Sequence, residues 1–255
     1  MEYFVDKRSV VRQIWGKADT ILFIFAGAAA EFALNKAVDW LYYTGKLPAD
    51  PLARLFSTIT YAREIVFAEM EAANKAIDKI TAIHAGVEES RGAKIPDWAY
   101  RDVLFMLIHY SIASFEIMER RLSQAEKEQV YNVFYRLGLR MKLNGLPENY
   151  DLWLPVREMH LEQDLAKSEF TIDLYKQYKK HLGRIRYKIV LQAQALVVPH
   201  IVKKLLNFKK GSILTPFLKI YKIARWLKIE WTIKSILLPG KFQEEIRSLD
   251  VTPNK

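Results

Sequence analysis

Long stretches of this chain repeat apolar residues every three or four positions, and only ten glycines and nine prolines interrupt 255 residues. Strict alternation of apolar and polar residues is almost absent. That pattern leaves little room for strands and predicts an all-α protein with long helices. About half of the residues are hydrophobic, which is ample for a core. No repeat, low-complexity tract or long linker divides the chain, so residues 1–255 read as one helical domain with a basic helical C-terminal extension over 213–248.

Cysteine is absent, which removes disulfides, thiolate metal sites and cysteine nucleophiles. The start, Met1 to Arg8, lacks the apolar core and small-residue cleavage site of a secretory signal, and the chain is assigned to the cytoplasm. The most apolar run, Ile21 to Ala30, ends at Glu31, well short of the roughly 20 residues that span a bilayer, so it reads as a buried helix. The net charge of +10 is uneven. Residues 179–241 hold fifteen Lys or Arg and a single acid, Glu230. A solvated helical face is the ordinary reading of such a run. Peripheral contact with anionic membrane is the functional one, at the inner face in a cytoplasmic protein, and no nucleic-acid partner is expected.

Helix boundaries follow from local chemistry. Residues 9–28 read as one or two helices, and helical periodicity resumes from Glu31 to Tyr42. Asp50 followed by Pro51 starts a helix that should run to about Ala68 and carries Arg54, Ser57 and Thr58. A second spans Glu69 to Ala85 and stops at Gly86, placing His84 in its last turn. Pro96-Asp97 opens a long helix from Trp98 to Arg121 that contains His109. Ser123 and Glu126 have the form of a capping box, starting a helix to about Leu143. Helices are expected over 155–182, 184–206 and 213–238, with fraying from Leu249 onward.

The chemistry is narrowed first by what is missing. No Gly-rich phosphate loop, HExxH, nucleophile elbow or paired Glu-x-x-His is present, and Glu158-Met159-His160 has the wrong spacing for a di-iron site. Of the five histidines, His84 and His109 are read as lying in apolar helical settings. Each is either a metal ligand or a hydrogen-bonded core residue. Arg54 and Thr58 are four apart on one helix face, where guanidinium and hydroxyl could together meet a carboxylate or propionate. From spacing alone the plainer reading is favoured, with Arg54 at the surface and Thr58 bonded back to its own helix.

Three segments in order, Asp50-Pro51-Leu52-Ala53-Arg54-Leu55-Phe56-Ser57-Thr58, then Ile83-His84-Ala85-Gly86-Val87, then Leu107-Ile108-His109-Tyr110-Ser111, resemble the catalytic domain of the rubber oxygenases (latex clearing protein), shared with the MpaB-type oxygenases. Gln13-Ile14-Trp15-Gly16, Phe25-Ala26-Gly27-Ala28 and Trp153-Leu154-Pro155 extend the resemblance over most of the chain. It implies a globin-like helical core around haem b. By the same resemblance His84 is the proximal iron ligand, Val87 fills the family's valine position, and Arg54 and Thr58 flank the pocket. Proximal histidine ligation leaves a distal face for dioxygen.

Departures matter as much. Ser57 stands where latex clearing proteins can place a lysine as distal ligand, so a lysine-capped state is not expected, and rubber is doubtful as the substrate. Gly92 is displaced from the family's glycine, and Asp39 is a candidate distal base. His109 is expected to pack near the cofactor or to bond a buried backbone group. The resemblance thus implies a haem b oxygenase using O₂ or peroxide on an apolar, lipid- or terpenoid-like substrate. Two alternatives stay open: a haem sensor or electron-transfer protein, with His109 as second axial ligand, and a non-enzymatic peripheral membrane protein.

Overall fold

The computed structural model describes residues 2–45, 49–209, 212, 214–226 and 243–250. The helices are α1 (Val10–Trp15), α2 (Ala18–Phe32), α3 (Val38–Tyr43), α4 (Pro51–Phe67), α5 (Met70–Arg91) and α6 (Asp97–Met118). They continue with α7 (Gln124–Arg140), α8 (Tyr150–Gln163), α9 (Glu169–Val197), α10 (His200–Leu205), α11 (Leu214–Trp226) and α12 (Gln243–Arg247). The all-α class is therefore what the chain adopts. Among the described residues there is no strand, only the isolated bridges Tyr3–Glu69 and Asn35–Leu165.

Local chemistry explains most of the boundaries. α4 begins at Pro51 and ends at Phe67, as the Asp50-Pro51 signal requires. α7 carries the complete capping box: the Glu126 amide donates to Ser123 Oγ at 3.3 Å, and the Ser123 amide donates to Glu126 Oε2 at 2.9 Å. Glu126 is consequently acidic well below the usual carboxylate range, at about 2, first because Arg120 bonds it and then because the Ser123 backbone does.

Several boundaries differ from expectation. The helix expected over 155–182 is two helices, because Asn149 caps α8 with a side-chain bond to the Leu152 amide at 2.9 Å and Ser168 caps α9 separately. Pro155 lies inside α8 rather than opening it. The span 184–206 is also divided: α9 runs through a kink at Gly183 (φ 72°) to Val197, and the extended Val198 before Pro199 ends it. Fraying from Leu249 is not observed at its start. Leu249 is buried, and Asp250 Oδ1 accepts the Ala18 amide at 2.8 Å, capping α2 from the far end of the chain. Of the terminal helix expected over 213–238, residues 214–226 are helical and 227–238 lie outside the described residues.

α2, the apolar run of the sequence, is buried at the centre and packs most extensively on α6. Gly27 makes that approach possible, since a Cβ there would overlap the Tyr110 ring and crowd Val197. One apolar cluster takes in residues from Phe4 and Trp15 through Phe105, Phe134 and Trp153 to Ile246 and Leu249.

Candidate functional site

Two polar constellations stand out, one sealed in the core and one at a half-open apolar face. The sealed one lies where α2, α6 and α8 meet. Arg157 Nη2 donates to Glu31 Oε2 at 2.5 Å, both residues being essentially inaccessible, and Tyr110 Oη donates to the same oxygen at 2.8 Å. Burial opposes the charge on Arg157, but Glu31, Tyr110 and Asp102 outweigh it and raise its pKa. The Tyr110 hydroxyl is pushed far above its ordinary value by burial and by Glu31.

Beside this pair, His160 Nδ1 lies 2.5 Å from Asp102 Oδ1 and 3.1 Å from Asp164 Oδ2, and Asn35 Nδ2 donates to Asp102 Oδ2 at 2.6 Å. Burial and the neighbouring Asp102 raise the pKa of Asp164. The ligand atoms of Asp102, His160 and Asp164 lie within 4.8 Å of one another, so the three could converge on one cation. Here they bond to each other and fasten the α2–α3 turn to α6 and α8.

His160 corrects the sequence reading. It is only 4% exposed, on a helix, edge-on to the Phe105 ring at 5.2 Å, so it too lies in an apolar helical setting. Its spacing to Asp164 (i, i+4) was the available signal. The partnership with Asp102 joins residues far apart in sequence and had none.

His84 belongs to the second constellation. α5 does not stop at Gly86; it continues to Arg91 and ends at Gly92, whose φ of 66° makes the left-handed cap and whose amide bonds the Glu88 and Glu89 carbonyls. Buried Glu88 explains the extension. It takes bonds from Lys94 Nζ at 2.7 Å, the Ile95 amide at 3.0 Å and Tyr100 Oη at 3.2 Å, which together outweigh the burial that would raise its pKa. His84 therefore sits inside the helix, on one face with Glu88 and Arg91.

The half-buried imidazole meets Tyr100 edge to face, with ring centroids 5.2 Å apart. α3 clamps the end of that face: Arg91 Nη2 donates to Asp39 Oδ2 at 2.7 Å, stacks 4.0 Å above the Trp40 ring, and Tyr43 Oη donates to the Ser90 carbonyl at 2.6 Å. Exposed apolar side chains stand on all three elements, namely Tyr43, Ile83 (42% exposed) and Val103. A Cβ at Gly86 would meet nothing within 4 Å, but Gly86 lies about 200° round the helix from His84, so that open space is on the other side of α5.

The remaining expected residues are distributed as follows. Asp39, the candidate base, is engaged by Arg91. Ser57 and Thr58 are half-buried on α4, and the Arg54 side chain lies outside the described residues. α4 and α5 pack together across the short Ala68–Glu69 link, from which Arg54 and Ile83 are equally distant along the chain. His109 bonds the backbone of Val197, one of the two roles expected of it. Its Nε2 is closed to solvent and without a partner, and its pKa is held down to about 4, first by burial and then by Arg157.

The candidate site is thus a half-buried, helix-borne histidine in an all-α bundle, set against the Tyr100 ring. The chain belongs to the family of the ER-bound oxygenase mpaB/B′ and rubber oxygenase catalytic domain, whose pattern matches residues 13–197. That span holds both constellations. No curated protein and no solved structure matches the chain. Among the described residues, no helix is long and apolar enough to cross a membrane.

Proposed function

We propose that the chain is a haem b-dependent oxygenase acting with O₂ or peroxide on an apolar, lipid- or terpenoid-like substrate. Membership of an oxygenase catalytic-domain family supports the reaction class. One observation carries the site: His84, the histidine of the matching segment, is a half-buried imidazole inside α5, held edge-on against the Tyr100 ring, with exposed apolar side chains on α3, α5 and α6. A half-buried nitrogen donor beside an aromatic ring is the chemistry an iron macrocycle asks of its protein ligand, and in that respect His84 and Tyr100 fit the group.

In this reading His84 would hold the iron, with Tyr100 fixing the tilt of its ring, and Arg54 and Thr58 on α4 would bind the cofactor and the reacting substrate. Bound haem supplies activation of dioxygen or peroxide. Glu88 holds the Tyr100 hydroxyl, and the Asp39–Arg91 pair keeps α3 against the end of α5, limiting water at that edge. A proton relay through Asp39 requires release of Arg91. The chain acts as one helical domain, which the continuous apolar cluster from Phe4 to Leu249 supports. A cytoplasmic setting belongs to the same proposal.

Expression with supplied haem tests it. The purified protein is expected to show a Soret band that His84→Ala loses, with a five-coordinate ferrous form that binds CO. A protein without the band, or an unchanged band in His84→Ala, overturns the assignment.

A second reading, a haem sensor or electron-transfer protein, draws on His109, whose bonded ring and unpartnered Nε2 resemble an oriented ligand. Helix register argues against both histidines on one iron. His84 touches Tyr100, and His109 lies nine positions further along α6, about half a turn out of phase and about 13 Å along the axis. A six-coordinate low-spin spectrum that collapses in His109→Ala would favour this second reading.

A further inference from the structure

From Leu174 to Ile229 the sequence contains no Asp or Glu. In the structure Lys179, Lys180, Arg184 and Lys188 are exposed on α9, and Lys204 and Lys209 are exposed on and after α10. α11 is fastened at its start, where Ser212 Oγ accepts the Leu214 amide and bonds Gln192 of α9 at 3.1 Å, and again along its second half. Arg225 Nη1 donates to Asp19 Oδ2 at 3.0 Å and its Nη2 to Glu119 Oε2 at 2.7 Å, Tyr221 Oη donates to Asp19 Oδ2 at 3.2 Å, and Ala224 is buried. The first half also presents side chains to solvent. Thr215 and Pro216 are exposed, Phe217 is 56% exposed and Ile220 59%. Three positions apart, these two side chains are neighbours on one helix face. Just beyond the Gly183 kink, Ile185 is 76% exposed between Arg184 and Arg186.

Large apolar side chains held in water among cations, with no acid for more than fifty positions, match the interface of an anionic bilayer. The apolar groups enter the headgroup–acyl boundary and the cations meet lipid phosphates. A nucleic acid would satisfy the charge alone, because aliphatic Ile185 and Ile220 have no role against a phosphate backbone. We propose that the first half of α11, with the basic side of α9, seats this chain on an anionic membrane surface through Phe217 and Ile220. The proposal goes beyond the oxygenase reading and does not depend on haem.

Co-sedimentation of the full chain with vesicles tests it. The protein is expected to pellet with mixed phosphatidylcholine–phosphatidylglycerol vesicles and to stay in solution with pure phosphatidylcholine. Phe217→Ser combined with Ile220→Ser should weaken partitioning about tenfold or more without changing the thermal unfolding of the free protein. The triple variant Lys179→Gln, Lys180→Gln, Arg184→Gln should weaken it independently and flatten its salt dependence. Equal partitioning onto neutral and anionic vesicles overturns the proposal. So does wild-type partitioning of the double serine variant, or duplex DNA that displaces the protein from anionic vesicles.

Discussion

His160 and His84 both lie within helices, yet their surroundings are opposite. His160 is sealed in the core, with Asp102 and Asp164 at one ring nitrogen and the Glu31–Arg157 pair close by. His84 stands at a half-open face among Tyr100, Ile83 and exposed neighbours on α3 and α6. The contrast separates two uses of a polar group. A histidine sealed between carboxylates in the core holds elements together, whereas a half-exposed one beside an aromatic ring is within reach of a ligand from outside. The sealed centre should therefore govern stability, and the open face should govern binding.

The strongest way to break that contrast is Arg157→Ala. It leaves Glu31 uncompensated in the core, and the expected loss is about 3–5 kcal/mol, or roughly 10 °C in thermal unfolding for a chain of this size. Combining Arg157→Met with Glu31→Gln should recover part of it, because the charge is gone and Gln still accepts from Tyr110. A stability equal to wild type in Arg157→Ala would show that the pair is not a tie of the fold.

Acid should find the same centre. His109, held down to about 4 by burial and then by Arg157, stays neutral in the folded state while the unfolded chain titrates near its ordinary value of about 6.5. Between those values the unfolded state binds a proton that the folded state does not. Stability is thus lost as pH falls through that window, and the loss levels off below about 4 at about 3 kcal/mol. Chemical denaturation from pH 7 to 4 should show a shallower decline in His109→Gln than in wild type, and parallel curves would sink the assignment.

How much of this the sequence displays depends on how local the cause is. The Ser123–Glu126 box, the Asp50-Pro51 start and the buried run from Ile21 to Ala30 are each determined by residues within a turn or two, and each appears where the residues predict. Gly86 misleads because a glycine marks a helix end only when nothing beyond it holds the helix. Here Glu88 reaches Lys94, Ile95 and Tyr100 and carries α5 on to Gly92. The sealed centre was illegible for a different reason. Glu31 and Arg157, like Asp102 and His160, are brought together by the packing of α2, α6 and α8, and no spacing along one helix announces such pairs. His84 was singled out as a ligand only because its segment resembles a known family; its apolar spacing alone favours a core residue.

Gly27 sharpens the boundary of the sealed region. Its missing side chain lets the Tyr110 ring lie against α2, one turn before Glu31, which the Tyr110 hydroxyl reaches at 2.8 Å. Gly27→Ala forces that ring aside, and strain plus a weakened bond should exceed the gain in helix propensity, for a net loss of about 1–3 kcal/mol in thermal or chemical unfolding. Gly86→Ala, at an exposed position of α5 with no atom near the added methyl, should instead be neutral or stabilising by up to about 1 kcal/mol.

The smallest expected effect is the most informative. His84→Ala removes a half-buried, partly exposed ring, the edge-to-face contact with Tyr100 among its interactions, and adds a good helix former, so the unfolding free energy of the haem-free protein should change by about 1 kcal/mol or less. His160→Ala, which leaves Asp102 facing Asp164 in the core, should cost at least about 2 kcal/mol under the same conditions. If the two substitutions cost the same, His84 is a structural residue like His160, and the division between a sealed polar tie and an open binding face fails. If His84→Ala folds as well as wild type yet no longer retains haem, the small stability change identifies the lost function as binding, because the scaffold around the missing ring is intact.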